Sequence, residues 1–335
     1  MRKLPVGHSD FKTVIEDNYY YVDKSLFIKE LVDNGAQALL IPRPRRFGKT
    51  LNLSMLRYFF EKTEADLSRL FRHLKIWQAG EEYTGRQGKY PVIFLTFKDI
   101  KEQSWENSYA KIKQTIQQEY LRHRYLIAGR MFNSSDMEGF EEICNLKADR
   151  MGFASALKNL THFLANYHQK KVIVLIDDYD TPLIAGCLNG YYDEVERFMG
   201  SLLSGGLKDD ADLEKAVLTG RFWLAMVSIL EGLNNLVAFT PIGHSFKDMF
   251  GLTEPEVKQT LKDFQVEIHE QVLNEWYNGY VFGDMKIFNP WSTVHYLNNL
   301  VEGPKTYWLN TLDTAFIKQT FIREKQDLRV ELENI

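Results

Sequence analysis

Residues 43–56, RPRRFGKTLNLSML, carry Gly48, Lys49 and Thr50 in the order of a phosphate-cradling loop, G-x-x-x-x-G-K-[ST]. Arg43 stands where the first glycine of that pattern belongs. In such a loop glycine lets the backbone approach phosphate, lysine reaches the β- and γ-phosphates, and the hydroxyl ligates Mg²⁺. The candidate nucleotide contacts are therefore Arg45, Arg46, Phe47, Gly48, Lys49 and Thr50, the two arginines adding charge where a triphosphate would lie. If position 43 needed a positive φ, arginine there would be strained by about 1 kcal/mol or more. Pro44, with φ fixed near −65°, argues for a different turn instead. The plainer alternative is a basic surface loop before a helix.

A triphosphate site also needs a carboxylate at the end of a neighbouring strand. KVIVLIDDYD at 171–180 provides an apolar strand followed by Asp177, Asp178 and Asp180. Asp177 is expected on the metal side with Thr50, and Asp178 is the candidate to polarise the attacking water. The alternative is a strand ending in a solvated acidic turn. KAVLTG at 215–220 ends at Thr219, a candidate for sensing the γ-phosphate or positioning water; a strand stopping at a turn explains it equally well.

These residues act only if strands and helices bring them together. ALLIP at 38–42, PVIFLTF at 91–97 and KVIVLID at 171–177 read as buried parallel strands, with KAVLTG and LVAFTPI (236–242) as two more. Long charged segments such as 104–129 read as helices between them, giving an α/β domain with a mainly parallel sheet over residues 1–244. ALLIP feeds the loop, and a helix starting at Lys49 or Thr50 leaves it, so backbone N–H groups face the anion. PVIFLTF, between loop and acidic strand in sequence, is expected between them in the sheet. Residues 245–335 read as a small, mostly helical second domain. It opens with a helix capped by Thr253 and Glu256, continues through an aromatic stretch at 275–297, and closes with a helix over 313–335. That aromatic stretch suits core packing, with Asn289 as a cap, better than a stacking platform for single-stranded nucleic acid.

Composition narrows the class. Of 335 residues 44% are apolar and 13% aromatic, enough for a packed core, and the net charge of −4 offers no basic field for bulk nucleic-acid binding. Cys144 and Cys187 are too few for a disulfide framework and are expected to be buried thiols. The eight histidines show no metal-ligand spacing. No signal peptide or membrane helix is visible, so a cytoplasmic chain without a membrane partner is expected.

Taken together, LPVGHSDF (4–11), YYVDKSLFIKEL (20–31), RPRRFGKTLNLSML, VLIDDYDTPL (174–183), GYYDEVERF (190–198), the segment ending in LTG at 218–220, FGLTEPEV (250–257), EWYNGYVFG (275–283) and YWLNT (307–311) resemble the AAA-ATPase-like family of bacterial P-loop proteins. This family is related to archaeal ATPases and STAND-type NTPases. The resemblance implies an ASCE-type P-loop NTPase fold, ATP and Mg²⁺ as cofactors, and RPRRFGK as the family's own form of the loop. It also implies that the YVDK segment lies near the base, making Tyr21, Val22 and Asp23 adenine-side contacts; core packing and an N-terminal helix cap are their alternatives. The chain departs from the family in having Asp178 for a glutamate and Trp223 and Met226 where an arginine and a lysine are usual, with Arg221 two places early. Relatives commonly continue into a PD-(D/E)XK nuclease-like domain. No Asp…Glu-x-Lys constellation follows residue 300, so nuclease activity is not expected. The expected function is a slow Mg²⁺-dependent ATPase whose nucleotide state regulates its C-terminal region, a protein partner or a homo-oligomer. The alternatives are a non-hydrolysing nucleotide-dependent interaction module and a nucleic-acid-associated defence or mobile-element protein.

Overall fold

The computed structural model describes residues 2–129, 133–221, 233, 235–305 and 307. Trp223, Met226 and the segment 313–335 lie outside the described residues. Five strands, β1 (Ala38–Pro42), β2 (Val92–Thr96), β3 (Val172–Asp177), β4 (Leu213–Gly220) and β5 (Leu236–Ala238), form one parallel sheet in the order β2-β3-β4-β1-β5. Every residue of β1 and β3 is buried, which is why both read as unbroken apolar runs rather than alternating ones. Alternate side chains still serve opposite faces. Val174 and Ile176 pack with the helices Trp105–Arg122, Arg150–His168 and Tyr192–Leu207, whereas Ile173 and Leu175 pack with the helix Lys49–Phe60 and the N-terminal helices.

The sheet order corrects one expectation. The strand between the loop strand β1 and the acidic strand β3 is β4, whereas β2 occupies the edge beyond β3. Order along the chain does not fix order in the sheet; the register Ile176↔Leu218 and Ile41↔Thr219 does. Burial agrees, since β2 leaves two of its five residues half-covered and β3 leaves none. The fifth strand is also shorter than expected, ending at Ala238. Beyond it the Phe239 carbonyl accepts from the Arg43 guanidinium at 2.7 Å.

After residue 245 helices predominate, joined by a small antiparallel sheet that periodicity did not announce: β6 (Leu252–Thr253), β7 (Tyr280–Phe282) and β8 (Met285–Phe288), in the order β6-β8-β7. The capping box forms at Thr253 and Glu256, starting the helix Glu254–Phe264, and Asn289 caps the helix Pro290–Asn298. The aromatic stretch mostly packs inward: Tyr277, Phe288 and Tyr296 are buried with Val257 and Leu261. Phe282 and Ile287 join the apolar cluster that contains Leu39 and Ile41 of β1. Cys144 is buried as expected, but Cys187 is only half-buried, and neither forms a disulfide. Among the described residues no helix is long and apolar enough to cross a membrane.

The segment 246–251 is stitched to the N-terminal half through its backbone. The Phe246 N–H donates to Glu30, its carbonyl accepts from Arg43, and the carbonyls of Asp248 and Met249 accept from Lys24 and Asn52. Gly251 closes the seam, its N–H donating to the Phe47 carbonyl of the loop at 3.2 Å. Its φ is +85°, and a Cβ there would fall 2.2 Å from Ile287 Cγ2 and 2.9 Å from Phe47 Cδ1. Gly251→Ala is therefore expected to cost about 2–4 kcal/mol, combining left-handed strain with overpacking. Urea denaturation should show a lower midpoint; an unchanged midpoint would mean the seam carries no stability.

Candidate functional site

The loop leaves β1 and enters the helix Lys49–Phe60, whose N-terminus opens into a cleft of about 450 Å³ at the carboxyl ends of the strands. This is where open α/β sheets bind ligands, and the exposed N–H groups and helix dipole favour an anion. Gly48 has φ +82°, a conformation that glycine adopts without strain. Arg46 also has a positive φ, 68°, whereas Arg43 does not. The glycine missing at position 43 is therefore not missed: the left-handed turns of this loop fall later.

Arg43 is instead wholly buried. Its Nη1 donates to the carbonyls of Pro42 and Phe239 at 2.8 and 2.7 Å, and its Nη2 to that of Phe246 at 3.0 Å. The guanidinium lies over the rings of Phe250 and Phe282 at 5.3 and 5.1 Å. Burial lowers its pKa to about 10, opposed by nearby Glu30. It remains charged at neutral pH, and it holds the loop down rather than facing the cleft. Sequence reasoning saw an arginine in place of a glycine; its partners lie 196 and 203 residues away, beyond any local signal.

Gly48, Lys49, Thr50, Arg45, Arg46 and Asp178 all line the cleft. Lys49 Nζ donates to the carbonyls of Arg43 and Pro44 at 3.1 and 3.2 Å and lies 3.7 Å from Asp178 Oδ1. That oxygen is shielded from solvent and accepts no hydrogen bond among the described residues. Asp178 has φ +49°, a strained conformation of the kind that clusters at functional sites. Asp177 lies behind Thr50 and is fully buried. Three hydroxyls converge on its carboxylate: Thr50 at 2.8 Å and Thr96 at 3.2 Å on Oδ2, and Thr219 at 3.0 Å on Oδ1. Burial, reinforced by the charge of Asp178, pushes its pKa up to about 6. Thr219 is fully buried and spends its hydroxyl proton on Asp177; it does not line the cleft.

Asp180, also fully buried, accepts from the Arg221 N–H at 2.7 Å and pins the end of β4. Arg221 itself reaches the cleft. So do Lys98, Lys101, Trp291 and His295; sequence reasoning passed over the two lysines and assigned the aromatic stretch that holds Trp291 to core packing. For Lys98 a signal existed: it stands two residues past the end of β2, on the rim where ligands bind. Trp291 and His295 belong to the helix Pro290–Asn298 and come to the cleft only through tertiary packing. Arg46 Nη1 donates to the Tyr307 carbonyl, and its guanidinium lies 4.5 Å from the Trp291 ring.

Beside the cleft is a small apolar cavity of about 100 Å³, lined in part by Tyr21, Val22, Phe47, Leu51, Met249 and Thr293. Asp23 does not line it: Asp23 accepts from the N–H groups of Ser25 and Lys75 at 2.9 and 2.7 Å. Phe47 turns its ring into the core against Tyr280 and Phe282, so any contact it makes at the cleft is through its backbone. Among the described residues no group of three or more His, Cys, Asp or Glu could hold a metal ion alone. A hard cation here would need phosphate and water oxygens besides Thr50 and Asp177.

Comparison with known proteins agrees with the fold. A family model described as predicted AAA-ATPase matches residues 5–230, more than half of the chain. An uncharacterized protein from the vnfD 5' region of Azotobacter chroococcum mcd 1 is 26% identical over 318 residues, which is 94% of this chain and 55% of that protein. The chain thus spans about half the length of that relative.

Two outcomes follow from the buried charges. Restoring the consensus glycine, Arg43→Gly, removes a charged donor from three buried carbonyls and should destabilise the fold by about 3–5 kcal/mol, read by urea denaturation. A neutral or stabilising effect would remove Arg43 from its anchoring role. For Asp177 the folded pKa is raised from 3.8 to about 6, so the folded chain keeps a proton that the unfolded chain has released. This contribution makes ligand-free stability fall as pH rises from about 4 to 6. Asp177→Asn should flatten that dependence and raise ligand-free stability at pH 7.5 by about 1–3 kcal/mol. Thermal melts across the window check both signs.

Proposed function

The chain belongs to the AAA-ATPase-like family, and from that premise we propose that it binds ATP with Mg²⁺, hydrolyses it slowly, and uses the nucleotide state as a switch. The observation that carries this reading is the cleft itself: Lys49, Thr50, Arg45, Arg46 and Arg221 line one opening in which Asp178 is, among the described residues, the single acidic side chain. A basic cleft at a helix N-terminus, backed by a carboxylate on a neighbouring strand, suits a triphosphate. The base enters the apolar cavity against Tyr21, Val22 and Leu51, and the phosphates run along the loop over Gly48 and Lys49. Mg²⁺, when bound, supplies charge neutralisation at the β- and γ-phosphate oxygens. Thr50 and Asp177 would hold it, and the hydroxyls of Thr96 and Thr219 keep the Asp177 carboxylate aimed. Oδ1 of Asp178, which accepts no hydrogen bond among the described residues, takes a proton from the attacking water as the water oxygen bonds to the γ-phosphorus and ADP leaves, once Lys49 turns to phosphate.

The switch follows from Arg46. It serves the loop, yet its guanidinium is held by the Tyr307 carbonyl and the Trp291 ring of the C-terminal region. A phosphate competing for that guanidinium releases those contacts, and the nucleotide state thereby reaches residues 290–307. Net charge −4 gives no support to nucleic acid as the partner.

Saturating Mg·ATP is expected to stabilise the protein by about 2.7 kcal/mol at a hundredfold excess over Kd, seen as a thermal shift. Lys49→Ala should abolish most of that shift without unfolding the protein. Asp178→Asn, nearly isosteric, should keep the shift and lose phosphate release. Should the wild type bind Mg·ATP and release no phosphate, the protein is a non-hydrolysing nucleotide-dependent module; equal release from both proteins would exclude Asp178 as the base.

A further inference from the structure

Beyond β2 the chain enters the cleft a second time, carrying two lysines. Thr96 pairs with Asp177 in the parallel register, and its hydroxyl donates to Asp177 Oδ2 at 3.2 Å. The next residue, Phe97, donates its N–H to the Asp177 carbonyl at 3.0 Å. The backbone is thus fixed to the acidic strand end up to the residue before Lys98. Lys98 and Lys101 then line the same cleft as Lys49, Thr50 and Asp178.

Their position along the sheet indicates which end of a ligand they meet. The apolar cavity lies beside the loop that leaves β1, and from β1 the sheet runs through β4 and β3 to β2. A nucleotide with its base in that cavity and its phosphates along Lys49 points its last phosphate toward β3 and β2. Lys98 and Lys101 therefore stand at the terminal-phosphate end, away from the base.

Their bonding state differs from that of the neighbouring cations. Lys49 is occupied by two loop carbonyls, Arg46 by the Tyr307 carbonyl and Trp291, and Arg221 Nη2 lies 3.4 Å from Thr181 Oγ1. Lys98 and Lys101 make no hydrogen bond or ion pair with any described residue. Lys98 is half-buried, and a partly desolvated ammonium is stabilised by an anion more than a fully hydrated one is.

We propose that Lys98, assisted by Lys101, is the specificity determinant by which this site distinguishes a nucleoside triphosphate from a diphosphate. This rests on the nucleotide-site reading above. The ammonium groups reach γ-phosphate oxygens that a diphosphate lacks, and the charge comes from the same chain as the loop. Calorimetric titration with Mg·ATP and Mg·ADP tests it on wild type, Lys98→Ala, Lys98→Arg and the double variant Lys98→Ala/Lys101→Ala. Wild type should prefer ATP. Lys98→Ala should lower the ATP-to-ADP affinity ratio about tenfold, the loss of one charge-assisted contact, while ADP affinity stays within about twofold. Lys98→Arg should restore most of the ratio, and the double variant should lower it further. A wild-type preference that persists unchanged in Lys98→Ala and in the double variant overturns the proposal and leaves the nucleotide site standing. Equal loss of both affinities overturns it too, because the lysines would then be general anion contacts. Binding of neither nucleotide by wild type removes the nucleotide-site reading, and this inference with it.

Discussion

A single buried cation constrains this molecule more than any other group. The Arg43 guanidinium has no access to solvent, and a charge in that position survives only where dipoles replace the water it lost. Those dipoles are backbone carbonyls from three separate places: the end of β1, the end of β5 and the start of the C-terminal region. The loop cannot lift away, and neither Phe239 nor Phe246 can leave, without orphaning a charge. The path of the loop, and with it the positions of Gly48, Lys49 and Thr50, follows from that desolvation constraint.

The carboxylates divide labour on the same principle. Asp177 is buried and satisfied by three hydroxyls, so it is held in place while burial raises its pKa. Asp178, one residue on, is turned outward by a left-handed backbone and keeps one oxygen without a hydrogen-bond partner among the described residues. A strand ending in two adjacent aspartates thus presents one fixed carboxylate below the cleft and one poised carboxylate in it. The positive φ at Asp178 is the strain that accompanies this reversal, and the surrounding packing sustains it.

The C-terminal region is part of the site rather than an appendage to it. Segment 246–251 is bonded through its backbone to Lys24, Glu30, Arg43, Asn52 and Phe47, and Trp291 and His295 reach the cleft. Phe282 and Ile287 share an apolar cluster with β1. Arg46 is the side chain common to the loop and this region, its guanidinium bonded to the Tyr307 carbonyl and lying over the Trp291 ring.

The sequence by itself determined the parallel α/β class, because buried parallel strands must be apolar throughout, as ALLIP and VIVLID are. It determined the strand–loop–helix unit around Lys49 and the acidic strand end at Asp177, since both are local patterns with local physical causes. It determined the caps at Thr253 and Asn289 for the same reason. Tertiary structure alone decided which strand lies between loop and acid, because lateral order depends on pairing between segments far apart in the chain. It decided that Thr219 serves Asp177 rather than the cleft, that Asp23 holds a turn, and that Lys98 and Lys101 face the same opening as the loop. It also decided the meaning of Arg43. A residue type can signal that a charge is present, but only the surrounding carbonyls, brought from about two hundred residues away, determine whether that charge binds a ligand or holds the fold.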